Sequence, residues 1–411
     1  MAQDFTVDRN SPKWVLGADG YLKEYANDEA AIEFNADGSY KGVLVESQSI
    51  NLCLQSEDIN TTWTANSNAT PTQSTETTPD GDSTNKYIKL IDDSGTGIGS
   101  VYVQQTITVL ANTKYTASVF LKADQLDYGA LWINNYDGTT DGYQFFELSG
   151  SGSLGTATNL DDSKIEAYPN GWYRCSVTWT QGGADTSFDL RIYAVGSLTS
   201  FNVDLDGTSS IFVWGAQVEA SPIATSYIPT TTGAVTRVAD DIDLTGASSL
   251  IGQTSGTVYV EAIIRKLENN FVVSISDGSS LAEAIYLQVA SISTNLNCLI
   301  RTGGSITTLS IANANWTAGL NKIAYTYEAG TDNSALFLNG ASPITGTSAN
   351  IPTCNKIVLG ARPDVAGGLS LNGWIRAVAL FTTRLSDAEA YSLTGYDTYA
   401  QMANALQYTI L

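Results

Sequence analysis

An all-β chain is what the sequence predicts: two antiparallel β-sandwiches (jelly rolls) in series, with a small N-terminal segment and a short C-terminal helix. Three observations predict it. Short runs rich in Val, Ile, Thr and Tyr alternate with period two along almost the whole chain. Turn pairs separate them, among them Asp137-Gly138, Asn170-Gly171, Asp277-Gly278, Asn339-Gly340 and Asn372-Gly373. Amphipathic helical stretches are all but missing, so alternating parallel α/β units are excluded.

In chain order, residues 1–48 read as an N-terminal segment suited to attachment, with a short helical turn expected at Asn27 to Glu33. Residues 49–245 read as the first jelly roll, with strands at Val101 to Val109, Tyr115 to Lys122, Trp172 to Trp179 and Phe188 to Tyr193. The Pro/Thr/Gly-rich stretch Ser226 to Gly233 lacks alternation and reads as a connector laid over that sandwich. Residues 246–411 read as the second sandwich, with strands at Thr257 to Ile264, Lys322 to Tyr327, Ala335 to Leu338 and Trp374 to Phe381. Ser386 followed by Glu389 is a capping box and predicts a helix there. Another turn or two is expected within Thr398 to Leu406, and the apolar end Tyr408 to Leu411 is expected to seek a contact.

Composition narrows the functions. The 411 residues carry 20 basic and 42 acidic side chains, a net charge of −22. That balance repels phosphates and argues against nucleic acid. Histidine is absent, which removes Ser-His and Cys-His nucleophile systems and the zinc proteases. Cys53, Cys175, Cys298 and Cys354 form no Cys-x-x-Cys pair and read as small core residues. No apolar stretch is long enough for a membrane helix, so membrane insertion is not expected. The start Met1-Ala-Gln-Asp-Phe-Thr lacks a secretion signal, so delivery on an assembled particle is the expectation.

An ordered series of motifs then carries a resemblance. It runs through Asn51-Leu-Cys-Leu-Gln-Ser-Glu57, Trp63, Thr113 to Lys122, Asn170-Gly-Trp-Tyr-Arg-Cys175, Trp214-Gly-Ala-Gln-Val-Glu219, Thr225-Ser-Tyr-Ile-Pro-Thr230 and Thr236-Arg-Val-Ala-Asp240. Over roughly residues 40–240 it resembles a domain of tailed-bacteriophage head spikes, head fibres and tail fibres, itself similar to jelly-roll carbohydrate-binding modules. Residues 250–395 resemble a concanavalin A-like, laminin-G-like sandwich, through Leu336-Phe-Leu-Asn-Gly340, Asn372-Gly-Trp-Ile-Arg376 and Arg384-Leu-Ser-Asp-Ala-Glu389. The resemblance implies a non-enzymatic protein on the virion, capsid or tail surface. It would adhere to host-surface glycans, have other virion proteins as partners and form a homotrimer. The alternative it leaves is a purely structural decoration protein with no glycan ligand.

Sugar recognition needs an aromatic face for the apolar side of the ring and amides or carboxylates for its hydroxyls. The stretch from Leu131 to Gln144 supplies both. Trp132, Asn134, Tyr136, Asp137, Tyr143 and, from further along, Trp172 are the candidate carbohydrate-binding residues, with Asn135, Asp141 and Gln144 interleaved. Jelly-roll modules of this kind often hold calcium. The resemblance puts Glu57 or Asp58, together with Gln217, in the ligand positions, although Gln217 stands where those modules carry an acid. A glycosidase would need two facing carboxylates; Glu261 stands alone in its strand, and no enzymatic activity is expected.

Overall fold

The computed structural model describes residues 5–265, 269–290, 294–303, 305–312, 315–348, 350–364, 369–396 and residue 401. It is β throughout, as the alternation predicts, with one α-helix among the described residues, Asp387–Gly395. The expected turns in Thr398 to Leu406 and the contact of Tyr408 to Leu411 fall outside the described residues, Gln401 apart.

Two sheets build the first sandwich. One runs in the order Ser153–Thr158, Thr140–Glu147, Tyr128–Asp137, Ser187–Val195, Ile98–Thr108, Asn202–Asp204. The other runs Asp162–Ala167, Trp172–Thr180, Lys114–Ala123, Ser210–Glu219, Lys86–Asp92, Ala69–Ser74. Alternate residues of each strand face inward, and Val103, Val119, Leu131, Val177, Ile192 and Val213 are fully buried between the sheets.

The second sandwich is built the same way around Val260, Val272, Leu287, Ile300, Ile323 and Leu336. Its sheets are closed on one side by the start of the chain. Thr6–Asp8 pairs with Asp241–Thr245, and Tyr40–Val45 pairs with Gly373–Phe381. The described part of the N-terminal segment therefore supplies edge strands to the distant half. The expected helical turn at Asn27 to Glu33 is instead a turn leading into the strand Ile32–Phe34. Its apolar residues pair with the strand after it, and extended pairing outweighs so short a helix.

Trp214-Gly-Ala-Gln-Val-Glu219 and its neighbours in the motif series work as a strap. Gly215 adopts φ +66°, where an added Cβ would lie 2.9 Å from the Phe120 ring. This residue sits at the register shift between Ser118 and Phe120. Beyond it, the Gln217 side chain accepts from Ile228 N (2.8 Å) and donates to Ser226 O (3.3 Å). Asn51 Nδ2 donates to Ala216 O and Ile228 O. Tyr227 and Ile228 are thereby buried, and the connector lies across the first sandwich as expected.

The helix Asp387–Gly395 packs Ala390 and Leu393 onto the outer face of the second sandwich, against Tyr259 and Phe337. Both arms of its capping box form: the Ser386 side chain accepts from Glu389 N, and Glu389 accepts from Ser386 N at 2.8 Å. Ser386→Ala is expected to lower stability by about 1 kcal/mol, read as a shift of the urea midpoint at unchanged slope. No change would mean that the packing of Leu393 alone holds the helix.

Candidate functional site

The two outer faces of the first sandwich meet different fates. Over the sheet that contains Lys114–Ala123 lies the hairpin of Lys13–Leu16 and Leu22–Tyr25. Leu22, Phe120, Trp172, Trp214 and Tyr227 form a buried cluster beneath it, with Trp14 against them. Trp172 is 1% exposed and its Nε1 donates to Thr77 O at 2.9 Å. The candidate sugar residue Trp172 is therefore corrected to a packing residue, because the N-terminal hairpin covers the face it points from.

The other sheet turns its outer face away from that hairpin. Cross-strand register sets its side chains in rows. Trp132 is opposite Tyr143 on one side and Arg191 on the other, and Arg191 is opposite Gln104. One row, Gln104–Arg191–Trp132–Tyr143, thus crosses four neighbouring strands. A second row places Asn134 opposite Asp189 and Asp189 opposite Thr106.

The polar members hold one another in place. Arg191 Nε donates to Gln104 Oε1 at 2.8 Å, and its guanidinium lies 5.2 Å from the centre of the Tyr102 ring. Asp189 accepts from Thr106 Oγ1 at 2.7 Å and from Asn134 Nδ2 at 3.2 Å. Arg191 and Asp189 keep about a fifth of their side-chain surface open. Burial pushes the Tyr193 phenol up to about 12, the Arg191 charge pulling the other way, so Tyr193 stays a neutral donor near pH 7.

The aromatic members cluster at one end. Trp132 stacks near Tyr193 (ring centres 5.8 Å) and Tyr143 (5.4 Å). Phe201, from the turn after Ser187–Val195, sits over them at 4.6 Å from Trp132 and 4.4 Å from Phe145. Beneath it the Trp132 Nε1 is buried and makes no hydrogen bond.

The remaining expected residues divide. Asn134 and Tyr143 share the face with Trp132. Tyr136 and Asp137 leave it, because Asn135 takes φ +58° and the register shifts between Ile133 and Asp137. Tyr136 turns to the core side, its hydroxyl donating to Asn159 O at 3.0 Å, and Asp137 is exposed at the sheet's tip. Asn135 N donates to Asp141 Oδ1, and Gln144 is spent on Gly155 O. Tyr102, Gln104, Asp189 and Arg191 lie on this face with Phe201 over it, and all five are absent from the sequence candidates. For the first four the signal was the polar phase of the alternation in Tyr102–Thr106 and Asp189–Tyr193, which names a face but not its neighbours; Phe201 lies in a turn and gave none.

The expected calcium pair does not form. The Gln217 amide oxygen is taken by Ile228 N. Glu57 is occupied by Lys86 Nζ (3.2 Å) and by the Tyr227 hydroxyl (3.2 Å); burial raises its carboxyl above the ordinary value, against the pull of Lys86. Among the described residues, no group of three or more His, Cys, Asp or Glu side chains is arranged to hold a metal ion.

No family model and no curated protein matches the chain. Solved structures do. It is similar to the Ruminococcus gnavus IT-sialidase CBM40, with 18% identity and a TM-score of 0.31 over 36% of this chain and 86% of that one. It is similar to domains LG4-5 of the mouse laminin alpha1 chain, with 11% identity and a TM-score of 0.23 over 69% and 88%. The CBM22-1-CBM22-2 tandem domain of Paenibacillus barcinonensis Xyn10C matches at 10% identity and a TM-score of 0.23, over 84% and 98%.

Proposed function

We propose that the chain is a non-catalytic glycan-binding protein whose platform is the outer face around Trp132, and that it serves as an adhesin on a tailed-phage particle. The observation that carries the reading is the row Gln104–Arg191–Trp132–Tyr143, in which hydrogen-bonding side chains and an aromatic end share one open sheet face. Pyranose rings offer the matching halves, C–H bonds for the aromatics and hydroxyls for Arg191, Gln104 and Asp189. A shallow face of this kind binds weakly, and many copies on a particle would supply avidity. The phage setting rests on the motif series alone.

A glycan array followed by depletion on whole host cells tests the binding. Retention on a defined set of oligosaccharides, unchanged by a calcium chelator, is the expected result. Incubation with the same polysaccharides should release no new reducing ends. A blank array and no cell depletion would sink the reading. The competing account, a decoration protein without a glycan, draws on Phe201: its packing over Trp132 is also what a sealed surface cluster looks like.

A further inference from the structure

The second sandwich has two unlike sides. On one, the sheets end in Thr6–Asp8 and Ile32–Phe34, short strands that carry Asp8 and Glu33. On the other, among the described residues, they end in Ser305–Ile311 and Ile344–Ser348. These two edge strands lie together, the Leu309 side chain so near Gly346 that an added Cβ there would fall 2.5 Å from it.

Open edges are normally guarded by charge, proline or shortness, because their unpaired N–H and C=O groups template another strand. The first edge is guarded by shortness, three residues in each strand, and by the exposed Asp8. The second is not. Ser305-Ile-Thr-Thr-Leu-Ser-Ile311 has seven residues with no charge, no Pro and no Gly, and Ile344-Thr-Gly-Thr-Ser348 has no charge either. Ile306 is 52% exposed and Ile344 37%.

The charge of the chain says what fits there. At net −22, copies repel one another over most of their surface. A neutral edge is where two copies meet at the lowest electrostatic cost. The longer strand also matches itself. Read antiparallel about Thr308, it sets Ser305 beside Ile311 and Thr307 beside Leu309 on the core face. On the outer face it sets Ile306 beside Ser310 and Thr308 beside Thr308.

We propose that this edge joins two copies of the chain across a two-fold axis, Ser305–Ile311 pairing antiparallel with itself at Thr308 and extending the sheet from one copy into the next. The pairing is isologous, so it closes at two. It replaces the trimer implied by the motif resemblance, and it needs only the fold, not the glycan reading.

Thr308 is exposed, so charging it leaves the isolated fold intact. Light scattering on the full chain over a concentration series should give the mass of two copies. Thr308→Lys should give the mass of one, because two lysines would face each other. Thr308→Glu should do the same, and an equal mixture of the two variants should return to two copies. Circular dichroism and melting of each variant should match the parent. A parent that stays at one copy, a mass of three, or a Thr308→Lys chain that keeps the mass of two would each overturn the proposal. So would a mixture that remains at one copy.

Discussion

Glu46→Gln is expected to cost the fold about 3–5 kcal/mol, the usual result of removing one partner from a buried ion pair. Glu46 has no exposed side-chain surface and sits where the start of the chain, the connector and the second sandwich converge. Lys13 Nζ lies 3.3 Å from its Oε2, Arg237 Nη2 3.6 Å from the same oxygen, and Arg265 Nη1 3.5 Å from Oε1. Asp240, 2.6 Å from Lys13 and 3.0 Å from Arg9, completes the cluster. Four cations therefore share two carboxylates, in a chain that is acidic overall. Neutralising Glu46 leaves Lys13 and Arg237 buried with Asp240 alone. Urea unfolding reads the loss; a change under about 1 kcal/mol, the scale of an exposed pair, would mean the cluster is neutralised by water instead.

The same carboxylate gives the sign of the pH dependence. Burial pushes Glu46 up, but Lys13, Arg237 and Arg265 together hold it well below its ordinary 4.5. A depressed folded value means that the unfolded chain takes the proton first. The stabilisation is complete above about pH 4.5 and drains away as the pH falls through the folded value. Asp82, held near 2 by its bonds to Lys86 and Thr84, acts in the same direction. Burial raises Glu57 and Asp241 and they oppose it. The melting temperature of the parent is expected to decline below pH 4.5, and that of Glu46→Gln to decline less steeply.

The sequence shows why the cluster was not foreseen. Its members are Arg9, Lys13, Glu46, Arg237, Asp240 and Arg265, single charges scattered over both halves of the chain. Nothing in their spacing pairs them. The Thr236-Arg-Val-Ala-Asp240 motif and the strap residues Asn51, Gln217 and Glu219 were visible as parts of an ordered series, but their work is structural. Glu219 accepts from Ser49 Oγ and Thr225 N, holding the connector down. What makes the series recognisable is thus the strapping of residues 225–230, and the face proposed for glycans lies elsewhere. Strands and turns were legible because period two and Asn-Gly or Asp-Gly pairs are local signals. Which face of a sheet stays open is decided by what packs on it, here a hairpin from residues 13–25.

Trp132→Ala and Trp172→Ala are expected to fail in opposite ways, and this contrast carries the glycan reading. Both tryptophans looked equally suited to a sugar. Trp172 is sealed between the first sandwich and the hairpin, with Phe120, Tyr168 and Trp214 in its cluster. Emptying that volume should cost about 3–5 kcal/mol and leave any glycan affinity of the surviving folded protein unchanged. Trp132 is only half-buried, backed by Tyr193 and capped by Phe201. Its truncation should cost the fold less than that of Trp172, while glycan retention drops at least ~10-fold, since an aromatic at the centre of a small site carries much of its binding energy. Arg191→Lys separates packing from recognition. It keeps the charge but loses the planar fork that bonds Gln104 and lies over Tyr102, and retention should fall with the melting temperature nearly unchanged. If Trp132→Ala unfolds the chain as readily as Trp172→Ala and Arg191→Lys leaves retention intact, the outer face is a sealed cluster and the adhesin reading fails with it.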